Sequence, residues 1–436
     1  MQTKYLVKGL KVYKNLFYRE TLEPTNAFDS YYTIKDLYDY VIGDNTKTKD
    51  YHHLKHKLNN FYDGYNNNVQ YITETGLPNT KSEQFNHANL HKLYNKEILW
   101  SSEPNAKHYL ADLEPFEQVA FKKNTLLFND GMVYPSNDLG IKKPFQLQIL
   151  DQIKVNRNKQ DEYVKLIRKT ENFSNFTYAF SPFLNTVIVP SGANENFMKN
   201  PISIQYLNKN SKGILECNTN IIDIQYKTKV HLKENVKLQS GQMNNIIYIV
   251  RENSELVIDR ITNDYGGFGI FDSKFICHPN SKITINFKNT GSDYYQENFY
   301  FDLTTNVDLT LNGKNNIYKG HEYHQFVHVD SRSSDNKSII DIKNVGNENA
   351  STSFIGRFDV SPNSVGFDGH MKNENLMLTP NTKMHSRPIL DIHTKEIECT
   401  HGCTISNIDK SKLYYLQSRG LAKDIAEDVL VSSFLC

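Results

Sequence analysis

A short pattern recurs along the middle of this 436-residue sequence and limits the folds open to it. Asn253-Ser-Glu-Leu-Val-Ile-Asp259 is followed by Asn280-Ser-Lys-Ile-Thr-Ile-Asn286 and by Asn306-Val-Asp-Leu-Thr-Leu-Asn312. A looser copy starts at Asn336, with its apolar residues shifted by one position. The four starts lie 27, 26 and 30 residues apart. Each copy is an Asn-led turn followed by two apolar residues separated by one other residue, the period of a strand with one buried side.

A lone strand of this kind has nothing against which to bury its apolar side. Stacked coils solve the problem, because each copy then shares one continuous core with its neighbours. The repeat therefore predicts a mainly β fold, a parallel β-helix or a related solenoid, rather than strands alternating with helices. A β-sandwich, whose strands also recur at short intervals, is the alternative that the pattern leaves open.

The sequence on either side of the repeats divides the chain into three regions. We predict a mixed helical N-terminal region over residues 1–165, a β-helix core over 166–404 and a helical C-terminal region over 405–436. In the first region, Leu54–Phe61 places its apolar residues at helical steps, and a short amphipathic helix is expected over Leu147–Ile153.

The C-terminal region has clear helix signals. Asp409 is a good N-cap for a first helix that ends at Gly420. A second helix is expected over Ala422–Phe434, with Ile425, Val429 and Phe434 on its apolar side. Such a tail is expected to cover the open end of a solenoid, where backbone edges would otherwise stay unpaired.

Composition excludes several classes of function. The net charge is +1, from 50 basic and 49 acidic residues, which gives no electrostatic reason to expect nucleic acid or an anionic membrane as partner. Five cysteines without a regular framework favour a reducing compartment over a secreted disulfide scaffold. No run approaches the roughly 20 apolar residues of a membrane span. We therefore expect a soluble intracellular protein, and removal of a transit peptide stays open.

The sharpest chemical feature is Glu398-Cys-Thr-His-Gly-Cys403. If the preceding strand continues through it, Cys399, His401 and Cys403 point to one face, because side chains alternate along a strand. Thiolates and imidazoles bind iron and zinc, and thiolates are the usual ligands of iron–sulfur clusters. A closed site normally needs about four ligands, and no second cysteine pair is evident. The donor set therefore looks incomplete within one chain.

A purely structural interpretation of the motif stays open. Cys399 would then be a small buried hydrophobe and His401 a hydrogen-bonded surface residue. Gly402 suggests a sharp turn that would leave His401 near the exposed end of its strand.

Other candidates are weaker. We expect three cysteines to serve packing or to lie at the surface: Cys217, Cys277 and Cys436. Three histidines lie close together in the sequence: His321, His324 and His328. They could bind a metal only if their side chains lay on the same face of a strand or helix. The sequence contains no phosphate-binding loop ending in Gly-Lys-Ser/Thr and no convincing nucleophile elbow, so we do not expect ATP hydrolysis or a serine-type reaction.

Several segments resemble one family, the SufB/SufD scaffolds of iron–sulfur cluster assembly. The C-terminal segments that carry the resemblance, most similar to a SufD-type subunit, are Ser386-Arg-Pro-Ile-Leu-Asp-Ile392, Glu396-Ile-Glu-Cys-Thr-His-Gly402 and Leu413-Tyr-Tyr-Leu-Gln-Ser-Arg-Gly420. Further matches are Ala350–Gly356, Val365–Gly369, Val187–Pro190 and Gly76–Glu83. The resemblance touches most of the chain and is strongest from about residue 350 onward.

This resemblance implies a right-handed parallel β-helix flanked by helical N-terminal and C-terminal regions. It further implies a scaffold without catalytic activity, paired with a SufB subunit and bound to the SufC ATPase. Cys399 and His401 become the metal-ligand candidates, at the SufB–SufD interface where iron and a nascent, transient cluster are shared. Reduced flavin is associated with such complexes, but no residue here identifies a flavin site. Whether the isolated chain forms a homodimer stays open.

The resemblance also implies a docking surface for SufC. Its candidate residues are Tyr414, Tyr415, Ser418 and Arg419. A structural interpretation competes with this one, since the same segment can serve only as core and helix end. The expected location is the bacterial cytoplasm, or the stroma of a plastid or apicoplast in a eukaryote.

Two alternatives have different consequences. One is a SufB-type scaffold that works without a separate SufD. The other is a polysaccharide lyase or hydrolase on a β-helix, which would need acids or bases aligned along one face of the solenoid and usually a secretory signal. Neither requirement is clearly met in this sequence.

Overall fold

The computed structural model describes residues 32–35, 76–95, 97–100, 124–129, 132–135, 146–151, 163, 166, 172–181, 183–192, 196–206, 214–238, 241–264 and 266–436. The helix expected over Leu54–Phe61 lies outside these residues. The described strands are β1 (Tyr32–Thr33), β2 (Glu97–Trp100), β3 (Thr125–Asn129), β4 (Met132–Pro135), β5 (Gln146–Asp151), β6 (Phe183–Val189), β7 (Ile202–Tyr206), β8 (Ile214–Ile224), β9 (Lys229–Leu238), β10 (Gly241–Val250), β11 (Glu255–Asp264), β12 (Phe268–Cys277), β13 (Lys282–Asn289), β14 (Tyr294–Leu303), β15 (Asp308–Ile317), β16 (Glu322–Ser331), β17 (Lys337–Gly346), β18 (Ser351–Val360), β19 (Phe367–Met377), β20 (Lys383–Ile392) and β21 (Ile397–Asn407). The described helices are a 3-10 turn (Glu83–Phe85), α1 (Leu90–Tyr94), α2 (Asn172–Phe180), α3 (Lys410–Ser418) and α4 (Lys423–Leu435).

From β8 onward the strands alternate between two sheets and coil into a solenoid of about seven turns. The first sheet has the order β8-β10-β12-β14-β16-β18-β20, and the second runs from β9 through the odd-numbered strands to β21. Neighbouring strands within each sheet are parallel. The predicted β-helix is therefore confirmed, and the β-sandwich is excluded because its sheets are antiparallel.

The repeat predicted from the sequence corresponds to the corners between coils. Asn253, Asn280 and Asn306 have φ angles of 58°, 58° and 53°, in the left-handed region that Asn tolerates better than most residues. In the fourth coil this conformation falls on Asp335, with φ 61°, one residue before Asn336. The shift in the looser copy thus arises because its turn starts one residue earlier.

The solenoid interior is mostly apolar but encloses one charged cluster. Arg260 is 1% exposed and donates hydrogen bonds to Glu234 at 2.8 Å and to Glu297 at 3.1 Å. The phenol of Tyr248 donates to Glu234 at 2.6 Å, and that of Tyr323 donates to Glu297 at 2.9 Å. Every member of the cluster therefore has a partner, as buried charges require.

A column of charged residues runs along the outer face of the second sheet, with one residue from each strand in register. Three ion pairs link its members two by two: Lys229–Glu255 at 2.8 Å, Lys282–Asp308 at 3.1 Å and Lys337–Asp368 at 3.1 Å. The alternation of sign stops at the last strand, where Glu398 lies beside Asp368.

Part of the N-terminal region covers the outer face of the first sheet. Phe85 and Leu93 pack there with Phe173 of α2 and with Met243 of β10. The helix expected over Leu147–Ile153 is wrong, because β5 forms a strand that pairs antiparallel with β6. The same short segment also alternates with period two, so its pattern does not decide between helix and strand.

The two C-terminal helices follow the last strand, and Asp409 caps α3 through hydrogen bonds to the backbone N–H groups of Ser411 and Lys412. Helix α4 packs beside β17, where Val431 joins Val345 and Leu376 in a small cluster. The last coil, formed by β20 and β21, stays largely exposed at the end of the solenoid, so the expected cover is not provided by this tail.

The apolar side expected for α4 is wrong for two of its three residues, since Phe434 alone of them packs against the small cluster around Val431. Ala426 and Val431 are its buried residues, whereas Ile425 and Val429 are 50% and 44% exposed. No helix in the described part of the chain is long and apolar enough to cross a membrane.

Candidate functional site

The Cys-Thr-His-Gly-Cys motif lies in the middle of β21, the last strand of the second sheet. Register pairs Cys399 with Gly369, His401 with Met371 and Cys403 with Asn373. The three partners on β19 are buried. The three side chains of β21 therefore continue the interior-facing side of the solenoid and share one face. They are half-buried or exposed, and no further coil among the described residues covers them.

The turn expected at Gly402 is wrong. Strand β21 runs through this residue to Asn407, and Gly402 has an ordinary extended conformation rather than a positive φ angle. His401 is exposed because β21 ends the stack, and not because the strand ends beside it.

Cys399 is half-buried and packs against the apolar core together with Leu390, Ile392 and Ile397. Burial, assisted by the negative charge of Asp368, raises the pKa of its thiol to about 11. Near neutral pH the thiol is therefore protonated, and a metal ion must displace that proton to bind the sulfur.

His401 and Cys403 are exposed. Alternate residues on a strand lie about 6.6 Å apart, so Cys399 and Cys403 are separated by about 13 Å. Ligand bonds to iron or zinc measure about 2.0–2.3 Å, so one ion can be shared by His401 and one cysteine but not by both cysteines. Among the described residues, no three His, Cys, Asp or Glu side chains are arranged to hold a metal ion. The face thus offers a pair of donors.

The opposite face of β21 carries contacts that the sequence did not indicate. Nδ1 of His370 lies 2.7 Å from Oγ1 of Thr400, and Nε2 of the same ring lies 2.8 Å from a carboxylate oxygen of Asp368. Asp368 and His370 are two residues apart on β19, so their shared face was available from strand alternation. The partnership with Thr400 depends on the register between two distant segments.

The weaker candidates do not join this site. Cys217 and Cys277 are buried, and Cys436 is exposed at the C-terminus. The buried ring of His324 accepts or donates a hydrogen bond at 2.8 Å with Ser353, and His328 pairs with Asp359 at 2.8 Å on the outer face. Their partners explain these histidines without a metal.

The C-terminal helices present a second exposed surface. Tyr414 and Tyr415 are 74% and 56% exposed, and the guanidinium of Arg419 lies 5.2 Å from the ring centre of Tyr415. The hydroxyl of Ser418 donates to the backbone carbonyl of Tyr415 at 2.7 Å, one turn earlier. A groove of about 420 Å³ lies between α3 and α4, lined by Ser411, Lys412, Tyr415, Leu416, Val429, Leu430 and Ser433.

Comparison with known families decides what kind of protein this is. Residues 206–434, more than half of the chain, match the family described as "SUF system FeS cluster assembly, SufBD core domain". The chain belongs to the SufBD family. The SufBD match starts at the end of β7 and ends inside α4. It therefore includes the last coil and the exposed surface around Tyr414 and Tyr415 on α3, called the tyrosine surface below.

Individual known proteins are similar over shorter stretches. The iron–sulfur cluster assembly protein SufD of Escherichia coli is 31% identical over 81 residues, 19% of either chain. The SufBD family protein slr0076 of Synechocystis is 30% identical over 92 residues, 21% of this chain and 20% of that protein. The chloroplastic protein ABCI7 of Arabidopsis thaliana is 36% identical over 59 residues, 14% of this chain and 12% of that protein. The chain thus aligns with about a fifth or less of these relatives' length.

Proposed function

We propose that this chain is a SufD-like scaffold subunit, without catalytic activity of its own, in the assembly of iron–sulfur clusters. In this role it pairs with a SufB-like subunit and docks a SufC-like ATPase. Membership of the SufBD family supports the general role, and the similarity to SufD of E. coli supports the finer assignment. The observation that carries the proposal is the exposed last coil, which presents Cys399 and His401 on one face.

The last coil has the properties of a surface that another chain completes. An edge strand carries backbone N–H and C=O groups that can pair with a strand of a partner. On the interior-facing side of β21, Ile405 is 44% exposed beyond the two cysteines and the histidine. A SufB-like subunit placed here would cover this apolar side chain and supply the ligands that the chain lacks.

Iron and the nascent cluster are then the cargo of the complex, held between two chains. His401, which is exposed, is the more accessible ligand of this chain, and Cys399 becomes a ligand once a metal displaces its proton. The cluster is transient, because a scaffold with a shared ligand set can release it when the two chains separate. Flavin, if it takes part, belongs to the complex as a whole.

The tyrosine surface on α3 is the proposed contact for the ATPase. Tyr414 and Tyr415 combine an apolar ring with a polar tip, the composition typical of interface hot spots. The hydroxyl of Ser418 already donates to a backbone carbonyl of the helix, and the guanidinium of Arg419 lies over the ring of Tyr415. We therefore assign the main contribution to the two tyrosines, and a supporting one to Ser418 and Arg419.

The experiment is co-expression of the full chain with the SufB-like and SufC-like proteins of its own organism, followed by capture through a tag on this chain. Ile405→Asp should release the SufB-like subunit and keep the ATPase, whereas Tyr415→Ala should do the reverse. Matched controls are Ile261→Asp and Tyr226→Ala, since these residues are 47% and 44% exposed on other parts of the solenoid.

The outcome decides between the alternatives. Capture of neither protein by the unmodified chain would refute the proposal. Capture of the ATPase together with a second copy of this chain, and transfer of persulfide sulfur to Cys399, would identify a SufB-type scaffold instead. The proposed location is the compartment of the SUF partners, a bacterial cytoplasm or a plastid, and the chloroplastic relative is consistent with the latter.

A further inference from the structure

A side-chain contact between β21 and β19 lies on the outer face of the sheet, opposite the face that carries Cys399 and His401. Thr400 lies between them in sequence and projects to the outer face of the sheet. Its hydroxyl is 2.7 Å from Nδ1 of His370 on β19, and the other nitrogen of that ring is 2.8 Å from Asp368. A hydroxyl, an imidazole and a carboxylate are thus connected in one row beneath the two candidate ligands.

Asp368 flanks the other end of this ring. One of its carboxylate oxygens approaches Nε2 at 2.8 Å, and Lys337 pairs with the second oxygen at 3.1 Å. The hydroxyl of Thr400 can either donate to Nδ1 or accept from it. The contact between Thr400 and His370 is therefore open to both tautomers of the ring.

The middle of β21 has little else to hold it. Among the described strands its backbone pairs with β19 alone, along one edge, and from Thr400 to Asn407 every side chain is exposed. Cys399 still packs against the core, but His401 does not belong to the core cluster. A strand with one paired edge and little packing opens at low free-energy cost. A side-chain bond at Thr400 therefore restrains the segment where packing does not.

We propose that Thr400 is a positioning residue, which fixes Cys399 and His401 for ligand binding through its hydrogen bond to the ring of His370. The proposal rests on the proposed function, because it assigns the two neighbours of Thr400 as ligands. Successive side chains on a strand point to opposite faces, so a restraint on Thr400 fixes the backbone from which both ligands project.

Three variants of the full chain separate this role from a general effect on folding. Thr400→Val keeps the shape and removes the hydroxyl, and Thr400→Ser keeps the hydroxyl. Thr404→Val is the matched control, because Thr404 lies on the same outer face of the same strand and makes no side-chain hydrogen bond to a described residue. Hydrogen exchange of those amides in residues 399–403 that bond to β19 should rise about 2- to 10-fold in Thr400→Val, the effect of losing one net hydrogen bond.

Thr400→Ser and Thr404→Val should exchange like the unmodified chain. In the double variant Thr400→Val with His370→Phe, the increase should equal that of the single variant, because both changes remove the same contact. Equal exchange in Thr400→Val and the unmodified chain, or an equal increase in Thr404→Val, would overturn the proposal.

Cobalt(II) binding to the complex with the SufB-like subunit, followed by visible absorption, tests the positioning itself. Thr400→Val should lower the cobalt affinity several-fold, and Thr400→Ser should restore it. Faster exchange with unchanged cobalt affinity would show that the contact is structural only. The proposed function is judged separately by His401→Ala: if this variant leaves the cobalt spectrum unchanged, the ligand assignment fails, whatever the exchange rates are.

Discussion

Nε of Arg260 lies 2.8 Å from a carboxylate oxygen of Glu234, and neither side chain has any exposed surface. A pair that is fully enclosed by a solenoid differs from the ion pairs on its outside, because water does not compensate for the loss of one partner. This difference leads to a direct prediction.

Arg260→Met should destabilise the chain by about 3–5 kcal/mol, since it leaves two buried carboxylates without their cation. The matched control is Lys229→Met, because Lys229 pairs with Glu255 at the same 2.8 Å but is 67% exposed. Removing an exposed partner should cost much less, because water takes the place of the lost contact. Urea denaturation of both variants measures the difference, and equal costs would contradict the account.

Glu297 should give the stability a dependence on pH. Burial raises the pKa of its carboxyl above the ordinary value, although Arg260 and the hydroxyl of Tyr323 oppose the shift. The fold therefore favours the neutral form. Its contribution to the free energy of unfolding is fully present below about pH 4.3, the ordinary pKa of glutamate, and is lost as the pH rises through the raised pKa.

Glu297→Gln stays neutral at every pH and should remove this contribution. Between about pH 4 and pH 7, the free energy of unfolding of the unmodified chain should fall relative to that of the variant. Denaturation curves at several pH values test this, with Glu255→Gln on the surface as the control. Parallel pH profiles for Glu297→Gln and the unmodified chain would show that Glu297 does not titrate as expected.

The thiol of Cys399 should react slowly with iodoacetamide. With a pKa of about 11, its reactive thiolate is about one part in a thousand at pH 8. The alkylation rate should rise about tenfold per pH unit until it levels off near pH 11, as peptide mass spectrometry can follow. Cys403 on the same face is exposed and serves as the internal reference. Fast modification of Cys399 at pH 8 would contradict the burial of its sulfur.

His401→Ala should lower iron retention in the complex several-fold and leave the chain folded. The exposed ring makes little packing, so the free energy of unfolding should change by no more than about 0.5 kcal/mol. His393→Ala is the control, because this ring is also exposed at the same end of the solenoid, where it pairs with Asp391. Iron content and thermal unfolding are the two measurements. Equal iron retention in both variants would remove His401 from the ligand set.

Sequence periodicity predicted the solenoid because each coil repeats the same physical requirement, a left-handed turn followed by a strand with one buried side. Asn253, Asn280 and Asn306 mark that turn directly. At the fourth coil Asp335 takes the role, and a search for Asn therefore finds the coil one residue late. A short segment such as Gln146–Asp151 is harder to assign, because its pairing with β6 decides its structure.

The candidate site, like the fold, could be predicted from the sequence only in part. Alternation along one strand placed Cys399 and His401 on a common face, since that inference needs no other part of the chain. The contact of Thr400 with His370 could not be predicted, because the register that joins residues 30 positions apart is fixed by the whole stack. The exposure of Ile425 and Val429 on α4 has a similar cause, because the packing of the helix beside β17 decides which of its sides is buried.

The charged column on the second sheet has a consequence for assembly. Its signs alternate from Lys229 onward until Asp368 and Glu398 bring two carboxylates together at the last strand. A partner strand that joins β21 with lysine or arginine beside Glu398 would restore a pair of opposite charges. A copy of β21 in the same register would instead add a third carboxylate. The charges on the outer surface thus favour a partner strand of different sequence over the β21 strand of a second copy of this chain.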